Sequence, residues 1–156
     1  WRHTARTSFG IRGQYEFIAP IRNTKTLPLF EKLYLGGEYS VRGYDIRSIG
    51  PSDPFTGLVL GGNKSLLFNG EYLFSIVPQV RLIAFYDAGQ VSDDREPFAL
   101  DRFRTSTGAE VRFFMPVLNV PFRLIFAANP QRAGVLDNSL RPAKNFTFRF
   151  AVGSTF

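Results

Sequence analysis

Apolar residues recur at every second position over much of this chain. That is the period of a strand with one apolar face, because successive strand side chains point to opposite sides. In residues 7–18, Phe9, Ile11, Tyr15 and Phe17 share one face, while Ser8, Gly10, Arg12, Gln14 and Glu16 share the other. In residues 65–76, Leu66, Phe68, Tyr72, Phe74 and Ile76 oppose Ser65, Asn69 and Glu71. In residues 79–91, Val80, Leu82, Ala84 and Tyr86 oppose Arg81 and Asp87, with Ile83 and Phe85 as exceptions on the polar face. In residues 104–115, Val111, Phe113 and Met115 oppose Ser106, Glu110 and Arg112. In residues 120–129, Phe122, Leu124 and Phe126 oppose Arg123 and Asn129. The last segment, residues 145–156, sets Phe146, Phe148, Phe150, Val152 and Phe156 against Thr147, Arg149, Gly153 and Thr155.

These are six predicted strands of about 10–13 residues. A tilted strand needs ~9–11 residues to cross a bilayer, whereas strands of soluble domains average ~5–6. Arg12, Arg81, Arg112, Arg123 and Arg149 sit on the minority polar faces, where a water-filled lumen would hold charges cheaply and a sandwich core would not. The connections alternate in length. Val77-Pro78 and the stretch from Pro116 to Asn119 are tight turns. Residues 92–103 and 130–145 are long and polar, and the connection between Ala19 and Lys64 is longer still. Short turns at one end and long loops at the other are the arrangement of an outer-membrane barrel. The expected fold class is therefore all-β, an antiparallel transmembrane β-barrel.

Composition agrees and excludes several classes. Seventeen Phe and six Tyr supply an aromatic wall, and the absence of Cys removes disulfides, thiolate zinc sites and cysteine nucleophiles. No apolar run approaches the ~18–20 residues of a membrane-spanning helix, so a membrane chain of this kind must cross as a barrel. The net charge is +6, but the basic residues are scattered singly apart from Arg2, His3 and Arg6, and no nucleic-acid motif accompanies them. The single His3 has no triad partner, and Asp93, Asp94 and Asp101 lack calcium-loop spacing. No enzyme, cofactor or metal is expected. Trp1 is not a start, and the chain reads as part of a longer protein.

The long connection contains Gly36-Gly37-Glu38-Tyr39-Ser40-Val41-Arg42-Gly43-Tyr44, followed by Ile49-Gly50-Pro51. This resembles the sixth extracellular loop of the BamA family of outer-membrane assembly proteins, which carries Val-Arg-Gly-Phe/Tyr after a Gly-Gly pair. Leu27-Pro28-Leu29-Phe30-Glu31-Lys32-Leu33-Tyr34 and Gly61-Gly62-Asn63 resemble the family as well. Phe85-Tyr86-Asp87-Ala88-Gly89-Gln90-Val91 is similar to its aromatic-Asp-x-Gly-x-Val strand. The terminus from Phe150 through Val152 and Gly153 to Phe156 resembles its β-signal. The motifs run in family order over essentially the whole chain.

The resemblance implies that residues 1–156 are the C-terminal portion of the barrel domain, the last six strands of sixteen, with the loop of about 19–64 folded inward. The N-terminal strands and periplasmic POTRA modules would lie outside this chain. It implies that Arg42 pairs with Glu71, Asp87 or both on the inner wall, that Gly43 allows a tight turn, and that Tyr44 packs against lumen residues. It further implies a non-enzymatic function in the bacterial outer membrane: folding and inserting β-barrel clients, with accessory assembly lipoproteins as partners. A secreting or translocating barrel of the same superfamily is the alternative. Phe156 is either a recognition tag acting by strand addition or one more lipid-facing aromatic. Six strands cannot close such a barrel, so either further strands complete it or this piece self-associates.

Overall fold

The structure, a computed structural model, describes residues 6–20, 27–93, 96–115 and 120–153. The period-two segments form one six-stranded antiparallel sheet in which neighbours in sequence are neighbours in space. The strands are β1 (Thr7–Phe17), β2 (Lys64–Val77), β3 (Val80–Ser92), β4 (Arg104–Met115), β5 (Val120–Ala128) and β6 (Phe146–Val152). The first five match their predicted ranges to within one residue at each end. β6 is described over 7 residues, against 14 in β2, and the last three positions of its predicted range, 154–156, lie outside the described residues. It stops at Gly153, whose φ of +107° leaves the extended region while its N–H still reaches the Pro121 carbonyl at 2.9 Å. Phe156, His3, Asp94 and the turn at 116–119 lie outside the described residues.

The two faces are chemically opposite. On the outer face, Phe9, Ile11, Tyr15, Phe68, Tyr72, Phe74, Leu82, Tyr86, Phe113, Leu124, Phe126, Phe148 and Phe150 all stand exposed. Cross-strand rings reinforce this wall: Phe126 packs on Phe148 at 5.0 Å and Phe122 on Phe150 at 5.8 Å. Such pairs add about 0.5–1.5 kcal/mol each beyond area burial. A continuous apolar wall of this size is foreign to water and suited to acyl chains.

The inner face is covered by the long connection between β1 and β2. That segment is not a structureless loop. Bridges Leu33↔Gly62, Leu35↔Ile49 and Ser52↔Val59 fold it into stacked turns. Leu35, Val41, Tyr44 and Ile49 of the connection form a buried cluster with Leu67 of β2, Val91 of β3, and Val135 and Ala143 from the β5–β6 loop. A second cluster joins Phe85, Ile125, Ala127 and Ala151 across β3, β5 and β6. Of the apolar exceptions on the polar face, Phe85 lies beneath Arg42 of the inward connection, and Ile83 is fully buried.

Register places inner residues in rows across the strands. One row reads Gly10, Glu71, Phe85, Gly108, Ala127 and Thr147. Strands β4 and β5 approach closely at Gly108, where a Cβ would collide with the Phe126 carbonyl oxygen and lie 3.1 Å from the Ala127 Cα. Backbone atoms cannot rotate away, so Gly108→Val is expected to destabilise the folded protein by about 2 kcal/mol or more. A lowered thermal unfolding midpoint of the full-length protein, with Gly70→Ala as the tolerated comparison, checks this.

Candidate functional site

Arg42 lies at the point where the connection dips deepest onto the sheet, and it is fully buried. Its guanidinium forks onto Asp87 of β3, with Nε donating to Oδ2 at 2.8 Å and Nη2 to Oδ1 at 2.7 Å. The Arg42 backbone N–H adds a third bond to Oδ2 at 3.0 Å, and Asn69 Nδ2 donates to Oδ1 at 2.8 Å. A carboxylate has about four acceptor positions, and here all four are filled. The other guanidinium nitrogen, Nη1, donates to Glu71 of β2 at 2.6 Å and to Glu110 of β4 at 3.1 Å. The Phe85 ring lies 3.9 Å beneath the guanidinium carbon, so a cation–π contact closes the remaining side.

Glu110 is a hub. Arg123 of β5 binds it bidentately at 2.7 Å and 2.7 Å, and Arg112 of β4 reaches it at 2.7 Å. Arg112 also approaches Glu71 at 3.5 Å. Arg112 and Arg123 stand directly opposite one another on neighbouring strands. Two like charges in that position repel, and Glu110 removes the repulsion. Three arginines, Arg42, Arg112 and Arg123, therefore face three carboxylates, Glu71, Asp87 and Glu110, in a cluster with balanced charge. The wet-lumen reading of Arg112 and Arg123 needs correction: both are almost fully buried and paired. Burial by itself would weaken proton binding at Arg42, but the Asp87 hydrogen bond and the three carboxylates reverse this and raise its pKa.

The neighbours of Arg42 are fixed as well. Val41 is buried in the inner cluster. Gly43 adopts φ +92°, and a Cβ there would strike Asn129 Oδ1 and lie 2.8 Å from the Ala127 Cβ. Its carbonyl accepts from Asn129 Nδ2 at 3.0 Å and Thr147 Oγ1 at 3.3 Å. The Tyr44 hydroxyl shares its proton between the carbonyls of Thr105 and Gln131, at 3.2 Å and 3.1 Å. Burial, opposed by Arg104 and Arg132, pushes its pKa up to about 12. Asp45 pairs with Arg149 of β6 and accepts the Asn138 backbone N–H. Partial burial works against ionisation of Asp45, yet these two hydrogen bonds prevail and hold its carboxyl below the usual range.

The loop also grips both edge strands. Arg12 of β1 donates to the Tyr39 carbonyl at 3.3 Å, and the Tyr39 hydroxyl donates to the Val152 carbonyl at the end of β6. Val152 and Phe150 carry their side chains on the exposed outer face, and Gly153 follows at the strand end beside Tyr39. Sequence reasoning gave Arg42, Glu71 and Asp87 a role in the site; it put Glu110, Asn69 and Asn129 on the polar faces and Tyr39 in the loop motif without giving them one. The arginines at 112 and 123 demand an anion nearby, but their opposition appears only once the β4–β5 register is known. Among the described residues no group of three His, Cys, Asp or Glu side chains could hold a metal ion.

Comparison with known proteins gives a consistent picture. The family model for the Omp85 superfamily domain matches residues 1–156. The outer membrane protein assembly factor BamA of Nitratidesulfovibrio vulgaris is 32% identical over 133 residues, 83% of this chain and 16% of that protein. BamA of Neisseria meningitidis serogroup B is 36% identical over 111 residues, 66% of this chain and 13% of that protein. The chain thus spans less than a fifth of the length of these relatives. The crystal structure of BamA from Haemophilus ducreyi lacking POTRA domains 1–3 matches 97% of this chain and 32% of its own. The TM-score is 0.75 at 19% identity, a likeness of fold.

Two predictions follow from the site's geometry. Arg42→Ala leaves three buried carboxylates short of a cation and is expected to destabilise the loop–sheet packing by about 3–5 kcal/mol. Arg42→Lys restores the charge but not the fork, and should recover only part of this. Thermal unfolding and protease cleavage within residues 27–63 measure both, and wild-type behaviour of the alanine variant would sink the lock. The second concerns Asp45. Because its folded pKa is depressed, its tie to Arg149 contributes fully above the unfolded value of ~4. That contribution is lost as pH falls through the folded value. Protection factors of β6 amides, which remove the intrinsic pH dependence of exchange, should fall on acidification, and Asp45→Asn should abolish that fall.

Proposed function

The chain belongs to the Omp85 superfamily, and we propose that it forms the C-terminal barrel portion of an assembly factor that folds and inserts β-barrel proteins into the bacterial outer membrane. Its location is the outer membrane, that of the assembly factors it resembles. The reading is non-enzymatic: the buried charges around Arg42 are paired with one another, which suits a structural fastening of the connection to the sheet.

The observation that carries the proposal is the state of β6. Among the described residues it is the shortest strand of the sheet and pairs with β5 alone, and its loop-side contacts come from Tyr39, Gly43 and Asp45. An edge strand presents a row of backbone donors and acceptors and is a template for strand addition. In the full-length protein, β6 would meet the first barrel strand at a short and weak seam, where a client strand can add. The inward loop occupies the inner face, which favours this over an open diffusion pore. Client barrels in the unfolded state, the lipid bilayer and accessory assembly lipoproteins are the expected partners, and POTRA modules would precede the barrel. The energy would come from client folding, with no nucleotide or cofactor.

Reconstitution of the full-length protein in liposomes with an unfolded barrel client tests this. Client insertion is expected to accelerate and to fall with Arg42→Ala. Unchanged client insertion, with export of a polypeptide through the barrel instead, would move the protein to the translocating branch of the superfamily.

A further inference from the structure

The outer face of β3 begins as an apolar column, Val80, Leu82, Ala84, Tyr86 and Ala88, and then turns polar at Gln90 and Ser92. Both lie on the side that the exposed aromatic wall occupies, yet they are only 2% and 1% exposed. A bare side-chain amide against acyl chains costs several kcal/mol. Here it is not bare. Gln90 Oε1 accepts the Ala99 backbone N–H at 3.2 Å, and Gln90 Nε2 donates to Ser92 Oγ at 3.0 Å. Part of the cover is the segment 96–103 of the β3–β4 connection, which reaches outward over the wall through its aromatic rings, while its Glu96 and Arg102 line a pocket shared with Ile49–Ser52 of the inward connection.

That segment is joined to the lipid-facing side chains. The Phe98 ring meets Tyr15 of β1 edge-on, with centroids 6.2 Å apart at 77°, and Phe103 packs near Phe68 of β2 at 6.4 Å. Lys64, the outer-face residue at the start of β2, places its ammonium 5.5 Å from the Phe98 ring. At the crest, a short 3-10 turn (Leu100–Arg102) holds Leu100 88% exposed. Arg102 beside it pairs with Glu96 at 2.6 Å. All of this sits at the long-loop end of the sheet, where the aromatic wall reaches its rim.

We propose that residues 96–103 form an interfacial strap that lies in the outer leaflet of the membrane. Phe98 and Leu100 would rest at the acyl boundary, with Lys64 and Arg102 at the level of the anionic headgroups. Three features favour lipid over a protein partner. The strap is continuous with the bilayer-facing wall, and it shields the two polar outer-face residues that lipid would otherwise touch. It also sets its aromatic rings beside Lys64 of β2 and its own Arg102, whose apolar stems suit the interface. The proposal rests on the outer-membrane reading and adds a second mode of contact to it, a loop lying on the bilayer beside strands that cross it.

The chain has no cysteine, which allows site-specific labelling. In the full-length protein with Leu100→Cys as the only cysteine, an environment-sensitive NBD label is read in phosphatidylcholine–phosphatidylglycerol vesicles. Leu124→Cys, in the middle of β5 on the outer wall, is the companion. Spin-labelled lipids quench from a shallow or a deep acyl carbon, and iodide quenches from water. The label at 124 should be quenched more by the deep lipid, and that at 100 more by the shallow lipid, with a blue-shifted emission and weak iodide quenching. Quenching at 124 by lipid but at 100 by iodide alone would overturn the strap and leave the membrane barrel intact. Protection at 100 from both quenchers would also overturn it, in favour of a protein covering the site. Absence of lipid quenching at 124 would overturn the outer-membrane reading itself. Leu100→Trp with brominated lipids repeats the measurement with a natural side chain, and must give the same shallow preference.

Discussion

The guanidinium of Arg42 makes sense only when three strands are in place at once. Its carboxylate partners, Glu71, Asp87 and Glu110, come from β2, β3 and β4 respectively. They occupy three successive rows of the inner face, with Phe85 at the centre. A slip of one residue in any of these strands would carry its acid to the outer face. The desolvated arginine would then lack a partner, at a cost of several kcal/mol. The same lock therefore specifies sheet register as well as loop position. Net stabilisation relative to an apolar core is not required for that role. The penalty for every alternative pairing is enough.

From this anchor the connection reaches every strand. Tyr39 touches β1 through the Arg12 side chain and β6 through the Val152 carbonyl. Asn69 of β2 holds the Ser40 carbonyl, and Arg123 of β5 holds the Glu38 carbonyl. Gly43 and Asp45 then reach Thr147 and Arg149 along β6. Residues 38–45 act as a cross-tie on a sheet whose own hydrogen bonds connect only adjacent strands. Its bonds to β6 are exposed or only part-buried, whereas those around Arg42 are fully buried and charge-assisted. The edge strand can therefore loosen while the centre stays fixed.

Much of this was legible in the sequence. Period-two alternation located five strands to within a residue and assigned both faces, because one apolar and one polar face is a local property of each strand. The placement of Glu71 and Asp87 on the polar face needed only that alternation. Their convergence on Arg42 needed the family motif, since a contact across 29 or 45 residues leaves no local trace. Glu110 was assigned its face but no partner, because its role depends on register between β3, β4 and β5, which alternation leaves free. The early end of β6 was equally hidden. Alternation continues through Val152 to Phe156 in the sequence, while the described strand stops where Gly153 takes a left-handed conformation.

The places where alternation fails are the most informative. Ile83 and Phe85 are apolar on a polar face; both are buried, and Arg42 of the inward connection lies over Phe85. Gln90 and Ser92 are polar on an apolar face, and the segment 96–103 lies over them. The two exceptions have one physical cause. A strand residue conforms to the solvent of its face only where that solvent reaches it. Where another part of the chain intervenes, the residue conforms to the covering segment instead. A break in period two inside an otherwise regular strand thus marks where a loop lands, and the polarity of the break tells what the loop brings. An apolar break on the lumen side receives a guanidinium face. A polar break on the lipid side receives a backbone N–H that would otherwise be stranded at the membrane surface.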